Sequence, residues 1–205
     1  MIQTDRIAVG FLAGGKGSRM GGCDKALLTL GGTSILARQI EKTSAYPVRM
    51  INANGDLSRY GEFRLPVIAD SQPGFLGPLA GVLSCLEYLR QSHPQVTHLA
   101  SMATDAPFIP DNLPRLLADE AERTDAEIIQ PQSGGRRHPV FSLWQVSLCD
   151  ALHHALTEKG IRKIDLFTAQ FTTSVLSFED ISPDPFLNLN RPEDHEYAEQ
   201  LMKAE

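Results

Sequence analysis

Ile7-Ala8-Val9-Gly10-Phe11-Leu12 runs straight into Ala13-Gly14-Gly15-Lys16-Gly17-Ser18-Arg19-Met20-Gly21-Gly22-Cys23-Asp24-Lys25. The first six residues form a short continuous apolar run, which suits a strand buried on both faces. The loop that follows holds five glycines and three cations, Lys16, Arg19 and Lys25. Glycines let backbone N–H groups approach an anion and permit positive φ. Backbone donors and cations at the end of a strand are what a polyphosphate requires. Two common phosphate motifs fit poorly. A Walker A pattern through Gly10, Gly15 and Lys16 continues with Gly17, where the magnesium-binding Ser or Thr belongs. A dinucleotide fingerprint starting at Gly15 and Gly17 fails at Met20, and the second strand ends in Asn52 and Asn54 where an acid would meet the ribose.

Outward from this loop, the segments alternate. Residues 34–44 read as a helix capped by Thr33, and 48–53 and 66–69 as strands. Residues 78–91 form the most periodic helix, with Leu79, Val82, Leu83, Leu86 and Leu89 on one face and Pro78 in the first turn. Strands are expected at 98–102, 126–130, 138–144 and 173–178. Helices are expected at 111–123 with Asp111 as cap, at 147–157, and from Pro192 onward. Strands separated by helical segments of roughly 10–15 residues imply βαβ units and a mostly parallel sheet. Such sheets bind ligands outside the carboxyl ends of their strands, which directs attention to the residues after Leu12, Ile51, Ala69 and Met102.

The 205 residues suit one domain with a full-size core. A net charge of −6 argues against a nucleic-acid-binding surface, while leaving room for a local basic pocket. No apolar run reaches the roughly 18 residues of a membrane helix, and Met1–Arg6 lacks the layout of a secretory signal. Cys23, Cys85 and Cys149 form no CxxC pair, so neither a zinc site nor a disulfide framework is expected. These features point to a cytoplasmic protein without membrane or nucleic-acid partners.

Six stretches in order carry a family resemblance. They are LAGGKGSRMGGCDKALL at 12–28, Asn52-Ala53-Asn54, Asp70, Gly77-Pro78-Leu79-Ala80-Gly81 with Asp105-Ala106-Pro107-Phe108-Ile109-Pro110, and Asn188-Leu189-Asn190-Arg191-Pro192-Glu193-Asp194. Over nearly the whole chain the sequence resembles the molybdenum cofactor guanylyltransferases, which join GMP to molybdopterin. The first motif is similar to the family's LAGGxSxRMGxDKALL, keeping the serine before the arginine. The last resembles NxNTPED, with Arg191 in place of threonine. The Gly14-Gly15 pair and Asp24-Lys25 favour the guanylyl branch, since cytidylyl relatives typically read LAAG. The resemblance implies a single-domain α/β fold, a Rossmann-like αβα sandwich of the nucleotide-diphospho-sugar transferase type. Within it, residues 1–110 are expected to bind nucleotide and 111–205 the acceptor.

The resemblance implies GTP and molybdopterin as substrates, with pyrophosphate leaving. It also implies transient contacts with cofactor-delivery proteins or molybdoenzymes, and a monomer. Asp105, just past an apolar strand, is expected to bind Mg2+, a hard cation that takes one or two protein carboxylates. Lys25, Arg19 and Lys16 are expected on the phosphates, with Arg19 suited to bidentate contact. Backbone groups of Leu12, Ala13 and Gly14 are expected on the guanine and ribose, Gly15 elsewhere on the nucleotide, and Asn52 and Asp70 on the nucleoside. Asn52 could instead tie strand ends together. Gly81, after Gly77 at a helix N-terminus, is expected on the acceptor side with Asn188 and Asn190, which share one face of an extended stretch. Arg136, Arg137 and His138 form a basic cluster that either admits an anionic acceptor or decorates a hairpin turn. Two other functions stay open: a different nucleotidyltransferase of this fold, and a GTP-binding regulator without catalysis.

Overall fold

β1 (Ile7–Leu12) is the strand that the apolar run predicts, and it sits between two parallel neighbours. The computed structural model describes residues 1–14, 24–72, 74, 77–179 and 181–204. Among these, β1 is followed by β2 (Thr29–Leu30), β3 (Thr33–Ser34), α1 (Ile35–Lys42), β4 (Val48–Asn52), β5 (Val67–Ile68) and α2 (Pro78–Ser92). Next come β6 (His98–Ala103), α3 (Leu113–Thr124), β7 (Ile128–Ser133), β8 (Arg136–Arg137), β9 (Leu143–Gln145) and α4 (Cys149–Thr157). The chain closes with α5 (Ile164–Thr168), β10 (Thr173–Ser177) and α6 (Pro192–Ala204).

The main sheet runs β10-β7-β9-β6-β1-β4-β5, with β8 paired to β7. All of its strands are parallel except β8 and β9, which run antiparallel to their neighbours. Alternating residues of β1 feed two cores. Ile7, Val9 and Phe11 pack with Leu36 of α1 and Leu113 and Leu117 of α3. Ala8 and Leu12 face α2 and α4 through Leu79, Val82, Leu83, Leu86 and Leu152. The predicted apolar face of α2 is fully buried. The result is a single αβα domain, and it follows from strands that need cover on both faces. A smaller third core joins Leu30, Ile35, Leu189 and Ala198, fastening the β2–β3 hairpin and α6 together.

Several local expectations are corrected. Ser34, rather than Thr33, caps α1: its Oγ accepts from Ala37 N at 3.2 Å, while Thr33 pairs in the hairpin. Asp111 is not the cap of α3, which starts at Leu113; it pairs with Lys42 at 3.0 Å. Residues 138–144 do not form one strand. Pro139, which has no N–H for a ladder, opens a 3-10 turn through Phe141, and only Leu143–Gln145 enters the sheet. There the buried Trp144 donates its Nε1–H to Ser101 Oγ at 2.8 Å, and Ser101 Oγ donates to Val140 O at 2.7 Å. Residues 146–148 are 3-10 before α4 begins. The β2–β3 hairpin, α5 and a 3-10 segment at Leu57–Phe63 were not expected from periodicity. No helix is long and apolar enough to cross a membrane among the described residues.

The cap assignment is testable. Ser34→Ala is expected to lower stability by about 1 kcal/mol, and Thr33→Ala by less. Urea midpoints at constant m-value check this.

Candidate active site

The carboxyl ends of β1, β4, β5 and β6 converge. Leu12 is in register with Asn52 and with Ala103, and Ala13 N donates to Asn52 O at 2.8 Å, extending the ladder one residue past β1. A cavity of about 600 Å³ opens there, lined by Leu12, Gly14, Asn52, Asp70, Gly81 and Asp105 among others. The rule that open α/β sheets bind ligands at this edge is met by the residues that the sequence singles out.

Its far wall is a clamp. Asn52 Nδ2 donates to Ile68 O at 3.1 Å and to Asp70 Oδ1 at 2.9 Å. Asn54 Nδ2 donates to Asp70 Oδ2 at 2.8 Å, and Asp70 N donates to Asn54 Oδ1 at 3.0 Å. Asn52 ties the ends of β4 and β5 together, and it also lines the cavity. Each Asp70 oxygen keeps acceptor capacity for a ligand, since a carboxylate oxygen offers more than one lone-pair site. Asn54 had no assigned role. Its position two residues from Asn52, hence on the same face of an extended segment, was the signal available.

Gly81 lies in this cavity with the nucleotide-side residues. A Cβ there would stand 2.3 Å from Asn52 Oδ1 and 3.2 Å from Leu12 Cδ2. Its missing side chain makes room for an amide that is already bonded to Asp70 and Ile68. Gly77, the N-cap of α2, has φ 78° and also lines the cavity.

The near wall carries the charges. Asp105 follows β6, and its side chain is 22% exposed. Its Oδ1 is buried without a hydrogen-bond partner among the described residues, and Oδ2 stands 3.9 Å from Lys25 Nζ. Burial pushes the Asp105 carboxyl above its usual range, and the Lys25 ammonium pulls it back. Lys25 Nζ donates to Asn190 Oδ1 at 2.5 Å, and Leu189 N donates to Asp105 O at 2.8 Å. Asn188, Leu189 and Asn190 thus arrive beside Asp105 from the other end of the chain. Leu189 is held in the third core, and Asp194 Oδ2 accepts from the N–H groups of Asn190 and Arg191 at 2.9 and 2.8 Å. Asn188 Oδ1 is buried and unpartnered.

Asp24, next to Lys25, anchors the exit of the glycine-rich loop. Its side chain accepts from Ala26 N at 3.1 Å and from the buried Tyr60 hydroxyl, and it meets Arg59 at 3.2 Å. Burial raises the Tyr60 phenol well above its ordinary range, so it remains a donor. No pattern in the sequence pointed to Tyr60. Gly15, Lys16 and Arg19, expected on the ligand, lie outside the described residues.

Residues 9–170 match the MobA-like NTP transferase domain. The chain belongs to that family. A Bradyrhizobium protein (strain ORS 278) named molybdenum cofactor guanylyltransferase is 38% identical over 196 residues, which cover 95% of this chain and 92% of that relative. A Rhodopseudomonas palustris (strain HaA2) protein of the same name is 41% identical with the same coverage. Among solved structures, a molybdopterin-guanine dinucleotide biosynthesis protein A from Archaeoglobus fulgidus superposes with a TM-score of 0.79. It covers 97% of this chain and 100% of its own, at 23% identity, a likeness of fold. As a member of the NTP transferase family the chain is a nucleotidyltransferase, and the described site combines a wall rich in hydrogen-bond acceptors with a charged wall.

Asn54→Ala removes one charge-assisted bond to Asp70 and the acceptor of its N–H, leaving the carboxylate free to swing. Affinity for GTP, the triphosphate expected from the sequence, should drop about tenfold, the equivalent of about 1.4 kcal/mol. Calorimetric titration checks this; unchanged affinity would remove Asp70 from the nucleotide site.

Proposed function

We propose that the chain transfers GMP from GTP to the phosphate of molybdopterin and releases pyrophosphate. The observation that carries this reading is the pairing of Asp105 with Lys25 at the boundary of the cavity. Its unpartnered carboxylate oxygen and the nearby ammonium form a pair suited to a polyphosphate and its counter-ion. The names of the relatives that cover 95% of the chain supply the acceptor. The division of labour is that of the two halves: nucleotide contacts fall within 1–110, and Asn188 and Asn190 serve the acceptor from within 111–205.

In this reaction an acceptor phosphate oxygen forms a bond to the α-phosphorus of GTP as the bond to pyrophosphate breaks. Two anions must approach, and charge grows on the leaving group, so positioning and electrostatic stabilisation make up most of catalysis. Lys25 supplies a point charge held by Asn190 and facing Asp105. Leu12, Ala13 and Gly14 present backbone to the nucleoside, while Asp70, squared by its two asparagines, accepts from guanine N–H groups or a ribose hydroxyl. Gly15, Lys16 and Arg19 complete the phosphate contacts.

Asp105 fits a divalent cation such as Mg2+. It offers a hard oxygen that is buried and unpartnered. Magnesium usually takes one or two protein carboxylates and completes its shell with phosphates and water. When bound, such an ion supplies charge neutralisation at the α-phosphate and the departing pyrophosphate. The acidic composition and the scarcity of cysteine support a cytoplasmic protein, and we take it to act as a monomer that meets delivery proteins or molybdoenzymes only transiently.

Purified protein given molybdopterin and a divalent cation should release pyrophosphate from GTP and not from CTP; equal turnover of CTP would replace this reading with a cytidylyl one. Asp105→Ala should cut turnover by about 10³-fold. Its melting temperature should stay within about 5 °C of the parent, because a poorly paired carboxylate contributes little to stability. Lys25→Ala should raise the KM for GTP about tenfold, measured by initial rates at saturating acceptor.

A further inference from the structure

α1 carries one residue that its hydrophobic pattern does not explain. Ile35, Leu36 and Gln39 form its buried face, and Gln39 is fully buried although its side chain ends in an amide. An apolar residue is what the helical period asks for at that position. Taking an amide out of water is costly unless its donors and its acceptor find partners. The donors do: Gln39 Nε2 donates to Ala103 O and to Ala106 O, both at 2.9 Å. Only the NH2 end of the amide can meet two carbonyls, so its orientation follows from its neighbours. The acceptor does not, since Gln39 Oε1 is buried without a partner among the described residues. As a core residue Gln39 is a poor choice, and both of its bonds go to one turn.

That turn is the one that carries Asp105. Ala103 is the last residue of β6, and the buried Ala106 follows the carboxylate directly. The amide therefore spans the turn, holding the carbonyl two residues before Asp105 and the carbonyl one residue after it. Other bonds hold the same segment from different sides. Thr104 Oγ1 donates to Leu12 O at 3.3 Å, and Leu189 N donates to Asp105 O at 2.8 Å. Lys42, three residues after Gln39 and so on the same side of α1, donates to Ile109 O at 2.7 Å and pairs with Asp111 at 3.0 Å. Of these side chains Gln39 alone bridges residues on both sides of Asp105. The backbone at 103–106 is thus fixed while Asp105 Oδ1 is left unpartnered among the described residues. A carboxylate that is to meet an ion must be held near its productive place, and bonds behind the site do that holding.

We propose that Gln39 is the positioning residue for Asp105: its amide fixes the turn from behind, so that the carboxylate is held at the cavity for the divalent cation that accompanies GTP. The assignment rests on the reading of Asp105 as the ion-binding group and adds to it the residue that holds that group. Gln39 is fully buried and is not among the residues that line the cavity, so it acts only through the backbone of 103–106. This role accounts for an amide with an orphaned oxygen at a position where an apolar side chain would pack.

The test uses Gln39→Met, which keeps the volume and removes both donors, and Gln39→Asn, which keeps the amide and draws it back toward the helix. The two perturb the core differently, so either one that folds suffices. Ser34→Ala, which loosens α1 at its cap and leaves the amide in place, is the control, and Asp105→Ala is the reference. Two readouts apart from turnover are compared: amide hydrogen exchange in segments 103–109 and 187–191, and the factor by which Mg2+ strengthens GTP binding in calorimetric titration. The Gln39 variants should exchange about tenfold faster than wild type in both segments. They should also lose about threefold or more of the Mg2+ effect, with GTP affinity in the absence of Mg2+ within about twofold of wild type. Exchange and Mg2+ effect both within about twofold of wild type would overturn the assignment. Equal losses in Ser34→Ala would also overturn it, since that is the effect of a loosened helix. If Asp105→Ala loses the Mg2+ effect and the Gln39 variants keep it, the ion-binding reading stands and the role of Gln39 falls. If the Gln39 variants exchange faster but Asp105→Ala keeps the full Mg2+ effect, Gln39 stands as the holder of the turn and the ion-binding reading falls.

Discussion

Lys25 is bonded to Asn190 and faces Asp105, and this ammonium joins three parts of the chain that have no local reason to meet. The bond to Asn190 spans 165 residues. A carboxylate that loses much of its hydration is costly unless a cation and hydrogen-bond donors compensate. Among the described residues, Asp105 has one cation at 3.9 Å and one oxygen without a partner. Such a group is poised to interact with something else, and a cavity of about 600 Å³ opens beside it. The unpartnered oxygen and the proposed reaction are thus two aspects of the same arrangement.

The rest of the molecule holds that arrangement. The sheet supplies strand ends in register, so Leu12, Asn52 and Ala103 finish side by side. The third core pins Leu189 against Leu30 and Ile35, bringing the Asn188–Asn190 stretch back to the start of the chain. Gly81 leaves space for Asn52, and Asn52 and Asn54 together fix Asp70. The small polar residues of this wall satisfy one another's hydrogen bonds, which fixes their positions at the strand ends.

Much of this was legible in the residues. β1 was readable because six apolar residues in a row suit a strand with both faces covered, and α2 because its leucines repeat with helical period. The misreadings have a common cause. Asp111 and Thr33 suit caps by residue type, but Asp111 pairs with Lys42 and it is the Ser34 hydroxyl that reaches Ala37 N. Around Pro139 the side-chain pattern suits a strand, yet the missing N–H and the Val140 carbonyl's bond to Ser101 impose a turn. Two-stranded β2–β3 and five-residue α5 are too short for periodicity to register.

From the linear order of residues alone came the fold class, the strand ends that matter and the identities of Asp105, Lys25, Asn52, Asp70, Asn188 and Asn190, because hydrophobic period and motif are local properties. Tertiary structure decided how they are grouped. It placed Gly81 against Asn52 in the nucleotide cavity, gave Asn54 the second arm of the Asp70 clamp, and set His138 on Phe186 beside Arg136 in a cavity of their own. Those relations depend on packing between segments far apart in sequence, where distance, burial and the competition for hydrogen bonds are settled only once the chain has folded.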